Sequence, residues 1–97
     1  MMIFKQLNVN YVPDIANIIP SLSSCAQSIS LFFEFSANNL IDFEPHDFTK
    51  SITEQLTIKL EVNRTISVMV LKQLLEIFPN VKKFELESNT PINKIYT

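Results

Sequence analysis

Four segments of the chain alternate apolar and polar residues: Phe4-Lys5-Gln6-Leu7-Asn8-Val9-Asn10, Leu31-Phe32-Phe33-Glu34-Phe35-Ser36, Leu56-Thr57-Ile58-Lys59-Leu60-Glu61-Val62 and Val81-Lys82-Lys83-Phe84-Glu85-Leu86-Glu87. A period of two sends successive side chains to opposite faces, so each segment predicts a strand with one apolar face. Aligning the apolar-x-apolar cores on Leu7, Phe33, Leu60 and Phe84 gives separations of 26, 27 and 24 residues, which is a repeat.

Between the strands the period lengthens. In Ser67–Phe78, Leu71, Leu74, Leu75 and Phe78 fall on one helical face, Thr65 or Ser67 is placed to cap the start, and Pro79 ends the helix. The first connection is a shorter version: Pro13 suits a first turn, Ile15, Ile18, Ile19 and Leu22 line one side, and Pro20 cuts the helix short. The connection from Asn38 to Thr53 reads as loop plus a short helix, with Phe43, Phe48 and Ile52 buried and Pro45 near the helix start. The best-defined unit predicts a core of Leu60, Val62, Leu71, Leu74, Leu75, Phe78, Phe84 and Leu86.

Connections of this length favour parallel strands joined by right-handed crossovers, because a hairpin needs only a few residues. Both a solenoid and a compact α/β domain meet that condition. Burying both faces of the sheet would bury Thr57, Lys59, Glu61, Lys83, Glu85 and Glu87, so the alternation favours an α/β solenoid of about four strand units, a parallel sheet with helices on one face.

Val81-Lys82-Lys83-Phe84-Glu85-Leu86-Glu87-Ser88-Asn89 resembles the leucine-rich-repeat strand signature L-x-x-L-x-L-x-x-N, with Val and Phe in place of two leucines. Phe33-Glu34-Phe35-Ser36-Ala37-Asn38 resembles its second half, and Phe4-x-x-Leu7-x-Val9 its apolar positions; the third unit keeps Leu60-x-Val62 and has Asn63 two positions early. The period, with Ile15-x-x-Ile18-Ile19-Pro20 and Leu71-x-x-Leu74-Leu75-x-x-Phe78-Pro79 before the next strand, resembles the helix-bearing repeats of F-box-associated substrate receptors of the nematode type. The resemblance implies that residues 1–97 are one leucine-rich-repeat-like domain, part of a longer array. It also implies a non-catalytic protein-protein interaction module, such as the substrate-binding part of an F-box-type ubiquitin ligase adaptor. The alternative is a compact α/β regulatory domain of the anti-anti-sigma type, or a small enzyme using the loop from Glu44 to Asp47. Topology separates them: strands in the order 1-2-3-4 with helices on one side fit the first, and an interior first strand fits the second.

Stacking in register makes rows on the uncovered face: Gln6, Phe32, Lys59 and Lys83; Asn8, Glu34, Glu61 and Glu85; Asn10, Ser36, Asn63 and Glu87. With strands about 4.8 Å apart, the middle row concentrates negative potential beside Lys59 and Lys83, which suits a basic protein partner. The concave-face binding set is therefore Glu34, Glu61, Glu85, Lys59, Lys83, Glu87 and Phe32. Against it stands a solvated face of compensating charges, worth little to binding. Phe32 is either an anchor on that face or the mark of a one-residue slip that buries it.

The chain has no glycine where average usage would give about seven. Phosphate-cradling loops, dinucleotide-binding turns and nucleophile elbows all need glycine, so enzymes of those types are excluded. At 46% hydrophobic, 19% charged and a net charge of −2, the composition is that of an ordinary globular domain, and eight scattered Lys and Arg make no nucleic-acid footprint. No apolar run approaches the ~20 residues of a transmembrane helix, and no membrane partner is expected. One cysteine, Cys25, and an N-terminus without signal-peptide features point to an intracellular protein, cytoplasmic or nuclear, in which the Asn63-Arg64-Thr65 sequon stays unmodified.

His46, in Glu44-Pro45-His46-Asp47, has the pKa for acid-base chemistry, but no nucleophile is spaced to it and the stretch reads as a polar loop or helix start. One His and one Cys make no zinc site, so no metal and no cofactor are expected, and Cys25 reads as a small residue of the core or between repeats. Unpaired edge strands make self-association the other expected interaction.

Overall fold

A computed structural model describes residues 3–12, 18–41 and 51–88. The alternating segments become β1 (Leu7–Tyr11), β2 (Ser28–Phe33), β3 (Gln55–Leu60) and β4 (Lys83–Ser88). The described connections contribute α1 (Ile19–Ser23) and α2 (Val68–Ile77). All four strands lie parallel in one sheet in the order β1-β2-β3-β4, so the chain is a small α/β domain whose sheet is laid down in sequence order.

α2 begins where Ser67, in an extended conformation, accepts a hydrogen bond from the Val70 amide at 3.3 Å. Ser67 is thus the cap, while the Thr65 hydroxyl donates instead to Asn38 Oδ1 at 3.1 Å. The helix ends just before Pro79, as expected. α1 differs from expectation. Pro20 lies in its first turn, where a missing amide proton costs nothing, so it opens the helix rather than closing it. Ile18, expected on the buried side, is exposed just before that turn. Pro13, Ile15, Phe43, Pro45 and Phe48 lie outside the described residues, and Ile52 is half-buried.

The inward face of the sheet is built of three levels: Leu7, Ile29, Leu56 and Phe84; Val9, Leu31, Ile58 and Leu86; then Tyr11, Phe33 and Leu60. Ile19 of α1 and Val70, Leu71, Leu74 and Ile77 of α2 join the central residues of these levels in one hydrophobic cluster, which places both helices on the same face. A fully buried side chain of this size contributes about 1.5–3 kcal/mol. Of the predicted core, Leu60, Leu71, Leu74 and Phe78 are buried and Leu86 packs against the cluster.

Three predicted core residues are not buried. Val62 is 51% exposed because β3 ends at Leu60 and the chain turns there, with the Arg64 amide bonded to the Glu61 carbonyl. Asn63 takes a φ of 65° in that turn; in a chain without glycine, asparagine is the residue best able to enter the left-handed region. Leu75 is 36% exposed because its place in the helix is about 100° round from Leu74. Phe84 is 37% exposed because β4 is an outermost strand.

The strands keep their predicted faces but not all of their predicted alignment. β2 and β3 pair as expected, with Phe33 opposite Leu60, whereas β1 and β4 are each displaced by four residues, Leu7 meeting Ile29 and Phe84 meeting Leu56. The observed levels step from 7 to 29, 56 and 84. Because four is even, every residue keeps its face while its neighbours change. The register extends before the strands, where Phe4 bridges Ala26, and after them, where Ala37 bridges Ile66.

Candidate functional site

The face opposite the helices carries the alternate residues of each strand. Its central level joins Asn8, Ser30, Thr57 and Glu85; the next joins Asn10, Phe32, Lys59 and Glu87; the one before it joins Ser28, Gln55 and Lys83. Gln6 ties the β1 side down, its amide donating to Asn8 Oδ1 and to Ser30 Oγ, each at 3.0 Å. Thr57 is 4% exposed, set among the long side chains of Gln55, Lys59 and Glu85. Phe32 is half-buried on this face between Asn10 and Lys59, so the strand has not slipped and the aromatic ring lies on the face opposite the described helices.

The charges pair by opposite sign. Lys59 Nζ lies 3.9 Å from Glu87 Oε2 across the β3–β4 pair, and Lys83 Nζ lies 3.1 Å from Glu85 Oε1 along β4. The expected grouping of Lys59 with Lys83 and the expected line of Glu34, Glu61 and Glu85 therefore do not form. Glu34 and Glu61 are exposed and follow the last paired residues of their strands, Phe33 and Leu60, with the Glu61 amide still bonded to the Phe33 carbonyl at 3.0 Å. Glu85 lies level with Thr57 instead, displaced with β4. The four-residue shift thus takes Glu85 out of line with Glu34 and Glu61, which stay level with each other, and brings Glu87 opposite Lys59.

Elsewhere, an open groove of about 580 Å³ is lined by Ser51, Ile52, Glu54, Asn80, Val81 and Lys82. Lys82 and Glu54 bond across it at 2.9 Å, which raises the pKa of the exposed Lys82 ammonium through the hydrogen bond and the carboxylate charge. The Asn80 amide donates to the Ser51 carbonyl at 2.6 Å. Cys25 is half-buried in the turn after α1, its thiol donating to the Leu22 carbonyl at 3.4 Å. Among the described residues no three His, Cys, Asp or Glu side chains gather into a metal-binding group, and no helix is long and apolar enough to cross a membrane. The stretch Glu44 to Asp47, with His46, lies outside the described residues.

Comparison with known proteins leaves these residues to speak for themselves: no family model, curated protein or solved structure matches the chain.

Several structural pins escape a pattern-based reading. Gln73 on α2 clamps the chain at Ile41, its Oε1 accepting from the Ile41 amide at 2.8 Å and its Nε2 donating to the Ile41 carbonyl. Thr53 is fully buried and donates to the Ala26 carbonyl at 2.7 Å and the Ser23 carbonyl at 3.1 Å, joining the start of β3 to the turn after α1. Tyr11, Phe33 and Phe35 form an aromatic cluster, with the Tyr11 and Phe33 rings stacked at 4.6 Å. Each signal was a residue type in an otherwise regular pattern: a polar residue at an apolar level for Thr53, an aromatic at successive strand ends for the cluster. Nothing in the periodicity of α2 marks Gln73.

Proposed function

We propose that this chain is a non-catalytic protein-protein interaction module of the short leucine-rich-repeat-like kind, binding through the face of the sheet opposite its helices. One observation carries the reading: both described helices pack on the same face, and the other carries a half-buried aromatic ring, Phe32, beside the Lys59–Glu87 pair. Parallel sheets are ordinarily covered on both faces, and solenoids bind their partners on the open one. Chain-order strands with both described helices on one side favour this class over the compact anti-anti-sigma type, whose first strand would be interior.

The surface suits a protein segment that sets an apolar side chain against Phe32 and offers polar groups of both signs to Lys59 and Glu87. A basic partner was expected from a continuous acidic row; with Glu85 held by Lys83, the face is balanced instead. To test the reading, a photo-crosslinking residue is placed at Phe32 and, separately, at the exposed Met69 of α2, and captured partners are compared from the native cell. Crosslinking from position 32 that is abolished by Lys59→Glu, with the fold unchanged by circular dichroism, supports open-face binding. Crosslinking from position 69 alone overturns it.

A further inference from the structure

The outermost strands carry apolar side chains that are incompletely buried, and these lie at matching levels. On the β4 side Phe84 is exposed and Val81 and Leu86 are half-buried; on the β1 side Ile3 and Phe4 are exposed and Leu7 and Val9 are half-buried. The internal register puts Leu7 level with Phe84 through Ile29 and Leu56, and Val9 level with Leu86 through Leu31 and Ile58. Phe4 bridges Ala26, three residues before Ile29, as Val81 stands three before Phe84. One end of the sheet is thus a continuation of the other.

The opposite face matches as well. Glu85 is level with Asn8 and Glu87 with Asn10, so each carboxylate of β4 corresponds to a neutral carboxamide of β1. A carboxamide donates to a carboxylate; Lys5 and Lys82, which also fall level, are of like charge, and Lys82 is held within its own chain by Glu54. Among the described residues β1 and β4 each pair on one side only, leaving backbone donors and acceptors along the other edge.

We propose that copies of this chain associate end to end, β4 of one lying parallel to β1 of the next, with Phe84 beside Leu7, Leu86 beside Val9, Glu85 beside Asn8 and Glu87 beside Asn10. The occupant is a second copy because both outer strands carry incompletely buried apolar side chains on the same face of the sheet, and the carboxamides of one end can donate to the carboxylates of the other. An antiparallel contact of β4 with itself would leave Ile3 and Phe4 uncovered. The contact joins unlike ends, so each added copy presents a fresh end of the same kind and the assembly lengthens with concentration. This association uses the edges of the sheet and is independent of binding on its open face.

Sedimentation of the 97-residue chain from low to high micromolar concentration tests it, with circular dichroism confirming that each variant is folded. The wild type is expected to pass from monomer to a ladder of oligomers. Phe84→Lys and Phe4→Lys each block one end and give monomers alone, while their equimolar mixture gives a discrete one-to-one dimer through the two intact ends. Asn8, exposed and outside the core, supplies a second measurement. Asn8→Lys strengthens association and Asn8→Glu weakens it, by about two- to five-fold each, the range of an exposed ion pair, with the difference shrinking in salt. A monomer at every wild-type concentration overturns the proposal. So does oligomerisation that survives in Phe4→Lys and disappears only in Phe84→Lys, or one that responds equally to both Asn8 variants.

Discussion

Tyr11 is the residue where the structure departs most from ordinary polar bookkeeping. Its ring is 1% exposed and stacked on Phe33, and its hydroxyl has no hydrogen-bond partner among the described residues. A buried unpaired hydroxyl costs about 1–3 kcal/mol, so Tyr11→Phe, which keeps the stacked ring, is expected to stabilise the fold by about 1 kcal/mol in a denaturant titration. Burial also pushes the Tyr11 phenol up to about 12 from its usual 10. Between those values the unfolded chain has released this proton and the folded chain has not, so stability falls as pH rises from 10 towards 12. Tyr11→Phe removes that component, and its stability is expected to decline less steeply over this window. An equally steep decline in the variant would show that the Tyr11 phenol is not what titrates.

At the scale of the element, α2 separates two leucines that the apolar period treats alike. Leu74 is fully buried in the cluster, and Leu75 beside it is 36% exposed. Leu74→Ala is expected to cost about 2–5 kcal/mol, transfer and cavity together, whereas Leu75→Ala stays within about 1 kcal/mol because alanine recovers helix propensity and little buried surface is lost. Urea midpoints of the two variants check the contrast, and equal midpoints would place α2 in a different rotation about its axis. α1 teaches the complementary point. With five residues it cannot hold itself together as a free helix; Ile19 in the core and the Thr53 hydroxyl on the carbonyls of Ser23, its last residue, and Ala26 beyond it keep it in place.

Across the whole molecule, stability is expected to be graded from the middle of the sheet outwards. β2 and β3 have strand neighbours on both sides and supply Ile29, Leu31, Phe33, Leu56 and Ile58 without exposure, while among the described residues β1 and β4 have one neighbour each and carry half-buried apolar residues. Amide exchange is therefore expected to be slowest in β2 and β3 and faster by local opening in β1 and β4. At concentrations where copies associate, the exchange of β1 and β4 slows selectively, because their outer edges are then paired. Uniform protection across the four strands at low concentration would contradict the gradation.

Much of this was legible in the chain itself. Alternation set the inward and outward residues of all four strands, because side-chain direction in a strand depends only on parity, and that parity held at Leu7, Leu31, Leu56 and Phe84 alike. The 3.6-residue period and Ser67 before Pro79 located α2 from local chemistry alone. The alignment between strands was another matter. Periodicity says nothing about which level of one strand meets which level of the next, since a shift by two or four residues leaves every face apolar or polar as before. Only tertiary packing set that alignment: the short α1 connection and the Phe4–Ala26 bridge placed β1, and the bonds from Lys82 and Lys83 to the Glu54 carbonyl placed β4. That displacement, invisible in the pattern of either strand, took Glu85 out of the expected acidic row and set Glu87 opposite Lys59.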